Sequence, residues 1–470
     1  MSTTLPPTKD AIDPAIEAFL ESTKDARLES YFELLRIPSI STLSEHAPDV
    51  RRAAEWIASE LDRIGFEHVD ISPTKGHPVV YADWLHAEGA PTILVYAHYD
   101  VQPVDPIDLW ETAPFEPFVR DGRVVARGAA DDKSHVHLHL KTAEAILATR
   151  GKLPLNLKFL FEGEEEHSSV GLEEWLADNR ERLAADAVVI SDTGFFEGNV
   201  PAITTSLRGM MYAQIDVFGS PVDLHSGSYG GTVQNPANAL ARIITELKAD
   251  DGTVRIPAFY DDVVAPTQQE RFEISCLPFE EDAFQKVTGV PELVAGEPGF
   301  TLLECAGIRP TLDVNGIWGG FTGEGSKTII PAHAHAKVSC RLVPDQDGAK
   351  IFEALRDFVL SVAPRGVRVE VQSLGNARAL RTDTEHPIAK AAARALEATF
   401  GAAPVFIRSG GSIPVAPMFE SVLGLPVVML GFTNPDDNAH APNETMVLLN
   451  YETGLRTITR LWDDLGTTAR

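Results

Sequence analysis

Six residues spread along most of the chain, His98, Asp131, Glu165, Glu166, Asp192 and His440, have side chains that bind divalent cations or move protons. Their local contexts together describe a two-metal hydrolase site. The run ILVYAHYDV is an apolar strand ending in His98-Tyr99-Asp100, and alternation along a strand puts His98 and Asp100 on one face. Asp100 can then hold one imidazole nitrogen and leave the other for a metal. In RGAADDKSH, Asp131 and Asp132 lie in a Gly/Ala-rich turn before a helix-like stretch, where one carboxylate can bridge two cations. The strand-like LPLNLKFLFEGEEEHSS runs into Glu164-Glu165-Glu166, the apolar DAVVISDTG ends in Asp192, and NPDDNAHAPNE supplies His440 from a loop after LPVVMLGF. The strands deliver their acids at the carboxyl end, where open α/β sheets place their ligand crevice.

A mixed His/carboxylate set without thiolates suits zinc or manganese and argues against a structural zinc cage. Ligands of this kind around two ions about 3.5–4 Å apart leave room for a bridging water. A further acid is needed to take that water's proton, and Glu165, beside the ligand candidate Glu166, is placed to do so. Taken singly, an acidic pair is ordinarily a solvated loop, and an Asp after a strand is ordinarily a turn or N-cap residue. Strand ends carrying in turn H-x-D, DDK, EE, D and a late H are hard to obtain from solvation alone.

The segments AHYDVQP, GRVVARGAADDKSH, FEGEEEHSS, SDTG, DLHSGSYGG, SCRLVP, SGGSIP and NAHAPNE closely resemble those of the M20 family of metallopeptidases, particularly its carnosinase-like cytosolic dipeptidase branch. The match runs through nearly the whole chain. The resemblance implies a di-metal aminopeptidase-like α/β catalytic domain, interrupted by a dimerisation (lid) domain and acting on dipeptides or N-acyl amino acids. It also implies that His98 and Asp192 hold one metal and His440 and Glu166 the other, with Asp131 bridging, Glu165 as general base and Asp100 as the partner of His98. Ser134 stands where the family often has Gly in DDKG, and Ser168 where it often has Gly in EE-x-GS. Both changes sit beside ligands and bear on loop geometry, not on the ligand set.

The organisation follows from the alternation of segments. Strand-like runs (HPVVYADWL, PTILVYAHY, LNLKFLF, DAVVISD) alternate with helix-like runs (PDVRRAAEWIASELDRIG, SHVHLHLKTAEAILATR, GLEEWLADNRERLAAD), an α/β pattern with a largely parallel sheet over residues 1–205. Over residues 206–376 the order becomes β-α-β-β-α-β, that of a ferredoxin-like domain, with extra helices and loops between its first helix and second strand. Residues 377–470 return to the catalytic domain, so the insertion explains the distance of His440 from the other ligands.

Within the insert, His225 of DLHSGSYGG sits in a Gly/Ser-rich turn, and the resemblance implies that it reaches across a homodimer to stabilise an oxyanion in the partner's site. Arg341 ends an alternating strand, and its guanidinium is shaped to clamp a substrate carboxylate. Thr328 and Asn315 are further candidates for substrate hydrogen bonds. Gly410, Gly411 and Ser412 are read as opening a helix whose backbone N–H groups would take an anion. His135, His137 and His139 are set aside, because alternate residues on a helix point in different directions. GEGSKT lacks the glycine that a phosphate loop needs before its lysine, and no G-x-S-x-G occurs, so a serine nucleophile has no support.

At 470 residues the chain is too long for one ordinary core. Its formal charge of -28 makes nucleic acid and anionic membranes unsuitable partners, while bound cations would dominate the field at the site. The three cysteines, Cys276, Cys305 and Cys340, have no metal-type spacing. The N-terminal stretch lacks a secretory pattern and no segment reaches membrane-spanning length, so a cytoplasmic location is expected. The activity expected is hydrolysis of dipeptides with a free C-terminal carboxylate, using two divalent metal ions, zinc before manganese, and a metal-bridging water activated by Glu165. An N-acyl amino acid deacylase is the alternative enzyme, and a catalytically inactive M20-like binding protein the alternative of another class.

Overall fold

The computed structural model describes residues 11–468; the N-terminal stretch as far as residue 10 lies outside them. The chain folds into two compact units. The first runs through Thr205 and resumes over Thr382–Ile407 and from Pro414, and the second comprises Ser206–Arg381 and Arg408–Ile413. Each has its own hydrophobic core.

The first unit is built on a sheet whose strands lie in the order Glu67–Ser72, Val79–Trp84, Asn156–Glu162, Thr92–His98, Ala187–Ile190, Val427–Met429 and Ala202–Leu207. The central run from Asn156–Glu162 to Val427–Met429 is parallel. The flanking pairs are antiparallel. The sheet is therefore parallel only at its centre, a narrower pattern than the alternation implied. The link from Trp84 to Thr92 is too short for a crossover helix, so the Val79–Trp84 strand runs against the centre. Thr92–His98 is buried on both faces from Ile93 onward, which is why it reads as a continuous apolar run.

Helices cover this sheet. Ala47–Ile64 starts with a proline in its first turn, ends on Gly65 in the left-handed region, and buries Val50, Ala53, Ala54, Ile57, Ala58 and Leu61 as one stripe. Lys133–Arg150 is buried nearly all round through Ile146. Its three histidines face three different places. His135 Nε2 accepts from Phe432 N, His137 Nδ1 meets Tyr451 Oη at 2.8 Å, and His139 Nε2 meets Ser191 Oγ at 2.8 Å. They are core residues, each with its own partner. The helix read over GLEEWLADNRERLAAD is shorter in the fold, Leu172–Asp178.

The second unit has a four-stranded antiparallel sheet in the order Thr311–Gly319, His333–Leu342, Gly209–Phe218, Arg368–Ala377. Numbered along the chain this is 2-3-1-4, the ferredoxin-like order. Met211, Ala213, Ile215 and Val217 alternate with Gln214 and Asp216, so one face packs apolar side chains with the Pro236–Leu247 and Gly348–Val362 helices. Asn235 and Asp347 cap those helices through their side-chain oxygens. The long segment after the first helix forms three short helices, Gln268–Ser275, Glu281–Thr288 and Leu302–Gly307. All three cysteines are free, and no helix among the described residues is long and apolar enough to cross a membrane.

Candidate active site

His98 is the last residue of its strand and is 1% exposed. Its Nδ1 lies 3.1 Å from the Asp100 carbonyl oxygen and 3.4 Å from Asp100 Oδ1, which turns Nε2 towards the acids. That nitrogen is 2.9 Å from Asp131 Oδ1 and 3.9 Å from Asp192 Oδ1. On the other side of Asp131, His440 Nε2 is 2.9 Å from Asp131 Oδ2 and 3.2 Å from Glu166 Oε1. Asp131 therefore stands between two imidazoles, each with a second carboxylate behind it. His440 sits in a loop with φ of 62°, a left-handed conformation that a non-glycine residue adopts only when its surroundings hold it there.

The two neighbouring aspartates have different duties. Asp132 Oδ2 accepts the His98 backbone N–H at 3.0 Å, and its other oxygen contacts His135 Nδ1. Its ligand atoms fall within metal-binding reach of His98 and Asp192, yet both oxygens are occupied and the residue is fully buried. Asp131 instead faces both imidazoles. Asp100 also does more than hold His98, since its carboxylate accepts the backbone N–H groups of Glu165 and Glu166 at 3.2 and 3.1 Å and so fixes the turn bearing both glutamates.

Spacing did not point to three supports of this centre. Glu444 is fully buried and accepts from the backbone N–H groups of Gly128, Ala130 and Asp131 and from Arg127, pinning the Asp131 turn. Gln102 donates to Glu166 Oε2 at 2.7 Å, leaving Oε1 for the site. Lys133 buries its ammonium on the carbonyl oxygens of Leu34 and Ile37, and burial lowers its pKa to about 7. Glu444 and Gln102 both lie inside motif segments already read, NAHAPNE and AHYDVQP, and membership of those motifs was the available signal.

The charges show what the centre is built to hold. Burial opposes ionisation of Asp131, but hydrogen bonds with His440 and His98 outweigh it and hold its carboxyl well below the usual range. Burial pushes Glu165 and Asp192 well above theirs; neighbouring acids add to the rise, while His98 opposes it. The Asp131 and Glu166 carboxylates beside its Nε2 raise His440 to about 11. The carboxylates here outnumber the two imidazoles, and divalent cations would balance the excess negative charge. Glu166 Oε1 is buried and accepts no aligned hydrogen bond although His440 Nε2 is 3.2 Å away. Two ligand-type atoms facing each other without a proton aligned between them suit a metal ion. Of the groups of three or more side chains with metal-ligand spacing among the described residues, His98/Asp132/Asp192 and Asp131/Glu166/His440 fall here, while Glu67/His68/Asp83 lies on the antiparallel edge of the sheet.

The remaining sequence candidates belong to the second unit. His225 is exposed, and its Nδ1 accepts the backbone N–H groups of Gly227 and Ser228 at 3.0 and 3.2 Å. Arg341 Nη1 donates to Ser412 Oγ at 2.7 Å, and that hydroxyl donates to the Arg208 carbonyl. Arg208 lies close enough to Arg341 to repel it; burial, then this repulsion, lower its pKa to about 10. The Gly410–Ser412 run is a bend and not the start of a helix, because the next helix begins only at Ala416. No helix start is therefore available here for an anion, and the polar groups at this position are the Arg341 guanidinium and the Ser412 hydroxyl. Gly411 is exposed beside them. Thr328 is exposed, with its carbonyl oxygen bound by Ser226, and Asn315 is exposed at a register shift in its strand.

Comparison with known proteins gives consistent results. Residues 94–464 match the family model for peptidase family M20/M25/M40. Over 463 residues the chain is 31% identical to the Cys-Gly metallodipeptidase dug1 of Schizosaccharomyces pombe, with 95% of this chain and 97% of that one covered. It is 31% identical over 436 residues to the human Beta-Ala-His dipeptidase, with 89% and 85% covered. The crystal structure of the M20 family metallo-carboxypeptidase Sso-CP2 from Sulfolobus solfataricus superimposes with a TM-score of 0.85 at 33% identity, covering 94% of this chain and 99% of that one.

Proposed function

The chain belongs to peptidase family M20/M25/M40, and from that premise we propose that it is a metallodipeptidase, cleaving the amide bond of dipeptides with a free C-terminal carboxylate at a centre for two divalent ions. The observation that carries this reading is Asp131 standing 2.9 Å from each of two imidazoles, with Asp192 and Glu166 behind them and Glu165 alongside. His98 and Asp192 would hold one ion, His440 and Glu166 the other, and Asp131 both; the donor set favours zinc, with manganese second. When bound, such ions polarise the scissile carbonyl and lower the pKa of the attacking water. Glu165 takes the proton of that water as its oxygen adds to the carbonyl carbon, then returns it to the leaving nitrogen as the C–N bond breaks. Asp100 holds the backbone of the turn that aims Glu165.

We assign the second unit as a dimerisation domain and the oxyanion donor as His225 of the partner subunit. Support comes from its tautomer. Because Nδ1 accepts two backbone N–H groups, the neutral ring carries its proton on Nε2, the nitrogen free to donate to an oxyanion. Arg341 and Ser412 take the substrate's carboxylate, with Gly411, Thr328 and Asn315 as neighbouring contacts. The deciding experiment compares a dipeptide with its C-terminal amide, each with metal-loaded and metal-stripped protein. Cleavage that needs metal and is strongly reduced by amidation is expected; equal cleavage of both substrates would reject the carboxylate requirement.

A further inference from the structure

The sheet of the second unit has a face turned away from its two helices, and near one end of the His333–Leu342 strand that face carries a group of side chains with no part in the hydrolytic reading. His333 and His335 are two residues apart on one strand, so both project from this face. His335 is directly opposite Asp216 on one neighbouring strand and Trp318 on the other. Asp216 is 3% exposed and its carboxylate is fully engaged, with His335 Nδ1 and Gln214 on Oδ1 and Gln372 on Oδ2. A buried carboxylate on Nδ1 draws the neutral ring's proton to that side and turns Nε2 outward as an acceptor. That nitrogen lies 2.8 Å from His333 Nδ1. Trp318 stacks on the His335 ring at 5.1 Å and 20°, restraining its rotation.

We propose that His333 and His335 form a binding site for a divalent transition-metal ion, with Asp216 as the residue that orients His335. Two nitrogens each about 2.0–2.1 Å from one ion and at right angles to each other lie about 2.9 Å apart, close to the separation found. A single well-placed proton between the rings also fits that separation, but His333 is exposed and its Nε2 can carry the ring proton in water, freeing Nδ1 to bind a metal. Imidazole pairs favour copper, nickel and zinc over calcium or magnesium. A carboxylate on the far nitrogen of a ligating histidine is the usual arrangement around such ions. Glu370, opposite Asp216 on its other side, adds negative charge to the same row, although it is paired with Arg368.

The test uses the enzyme with zinc loaded at its catalytic centre, titrated with Cu²⁺ and followed by electron paramagnetic resonance and tryptophan fluorescence, with zinc content measured in every sample. One Cu²⁺ per chain is expected without loss of zinc, with nitrogen couplings in its spectrum and quenching of fluorescence. His333→Gln should weaken this binding at least about tenfold, and Asp216→Asn by roughly ten- to a hundredfold. Trp318→Phe should keep the stoichiometry and lose most of the quenching. Should Asp216→Asn fail to fold, His333→Gln on the exposed residue still decides. Copper that binds only by displacing zinc, or that binds a His333→Gln/His335→Gln protein as tightly as the parent, would overturn the proposal.

Discussion

The metal corner of the first unit and the substrate candidates of the second are built in opposite ways. His98 is buried and Asp131 and Asp192 half-buried, all three joined through shared contacts, and the backbone is held by Asp132 at His98, by Glu444 at Asp131 and by Asp100 at Glu165. His225 is exposed and caps only its own short helix, and Arg341 rests on a single serine hydroxyl. A cross-braced group shares its burden, so removing one member disturbs the others, whereas a lone exposed donor is lost by itself. The first region should therefore govern whether metal is held at all, and the second how fast or how selectively a held metal is used.

The sharpest break of this contrast is Asp131→Ala. It should release most of the metal and take activity to that of metal-free protein, because both imidazoles lose the carboxylate between them; metal analysis after gel filtration is the check. Two retained ions would mean that Asp131 is not the bridge. Glu165→Gln should keep both ions and lose roughly 10²- to 10⁴-fold in turnover, since the amide cannot accept a proton. Near-normal turnover of the metal-replete variant would remove Glu165 as the base.

On the other side of the comparison, His225→Ala should keep full metal content and lose about 10²- to 10³-fold in kcat. In an exchanging mixture with Glu165→Gln subunits, activity should return to roughly a quarter of normal, by the two-fold geometry of a shared site. No recovery despite proven exchange would place His225 elsewhere. Arg341→Ala should cost roughly ten- to a hundredfold in kcat/KM for free dipeptides and little for amidated ones. A uniform loss over both substrates would make Arg341 structural.

The smallest effect concerns pH. Without metal, the Asp131 and Glu166 carboxylates beside Nε2 hold His440 at about 11, so at neutral pH its proton must leave before the nitrogen can bind an ion. Metal binding then releases protons, and apparent affinity should fall as pH falls, by about tenfold per unit for each proton displaced. Calorimetry in buffers of different ionisation enthalpy measures that release; none would contradict a protonated His440.

Much of this cluster was readable because its candidate residues follow apolar strands. His98, Glu165, Glu166 and Asp192 stand at or just beyond the ends of buried runs, and a buried parallel strand delivers its next polar residue to the carboxyl edge. The β-α-β-β-α-β order of the second unit was equally open to reading, since two-residue alternation on its strands separates Met211, Ala213 and Ile215 from Gln214 and Asp216. The antiparallel flanks of the first sheet were less visible, because strand pairing is set by partners far along the chain. The bend at Gly410–Ser412 was misread as a helix start because Gly-Gly-Ser suits either.

By itself, then, the sequence determined the element types, the residue types gathered at strand ends and the family to which they belong, all of which rest on local periodicity and short motifs. The family resemblance already pointed to Asp131, and only the tertiary structure decided that it faces both imidazoles while Asp132 holds His98, and that Glu444 pins the Asp131 turn. The physical reason is that adjacent side chains in a turn diverge, and which of them is free for a metal depends on N–H groups and rings that approach from residues as far apart as Asp131 and Glu444.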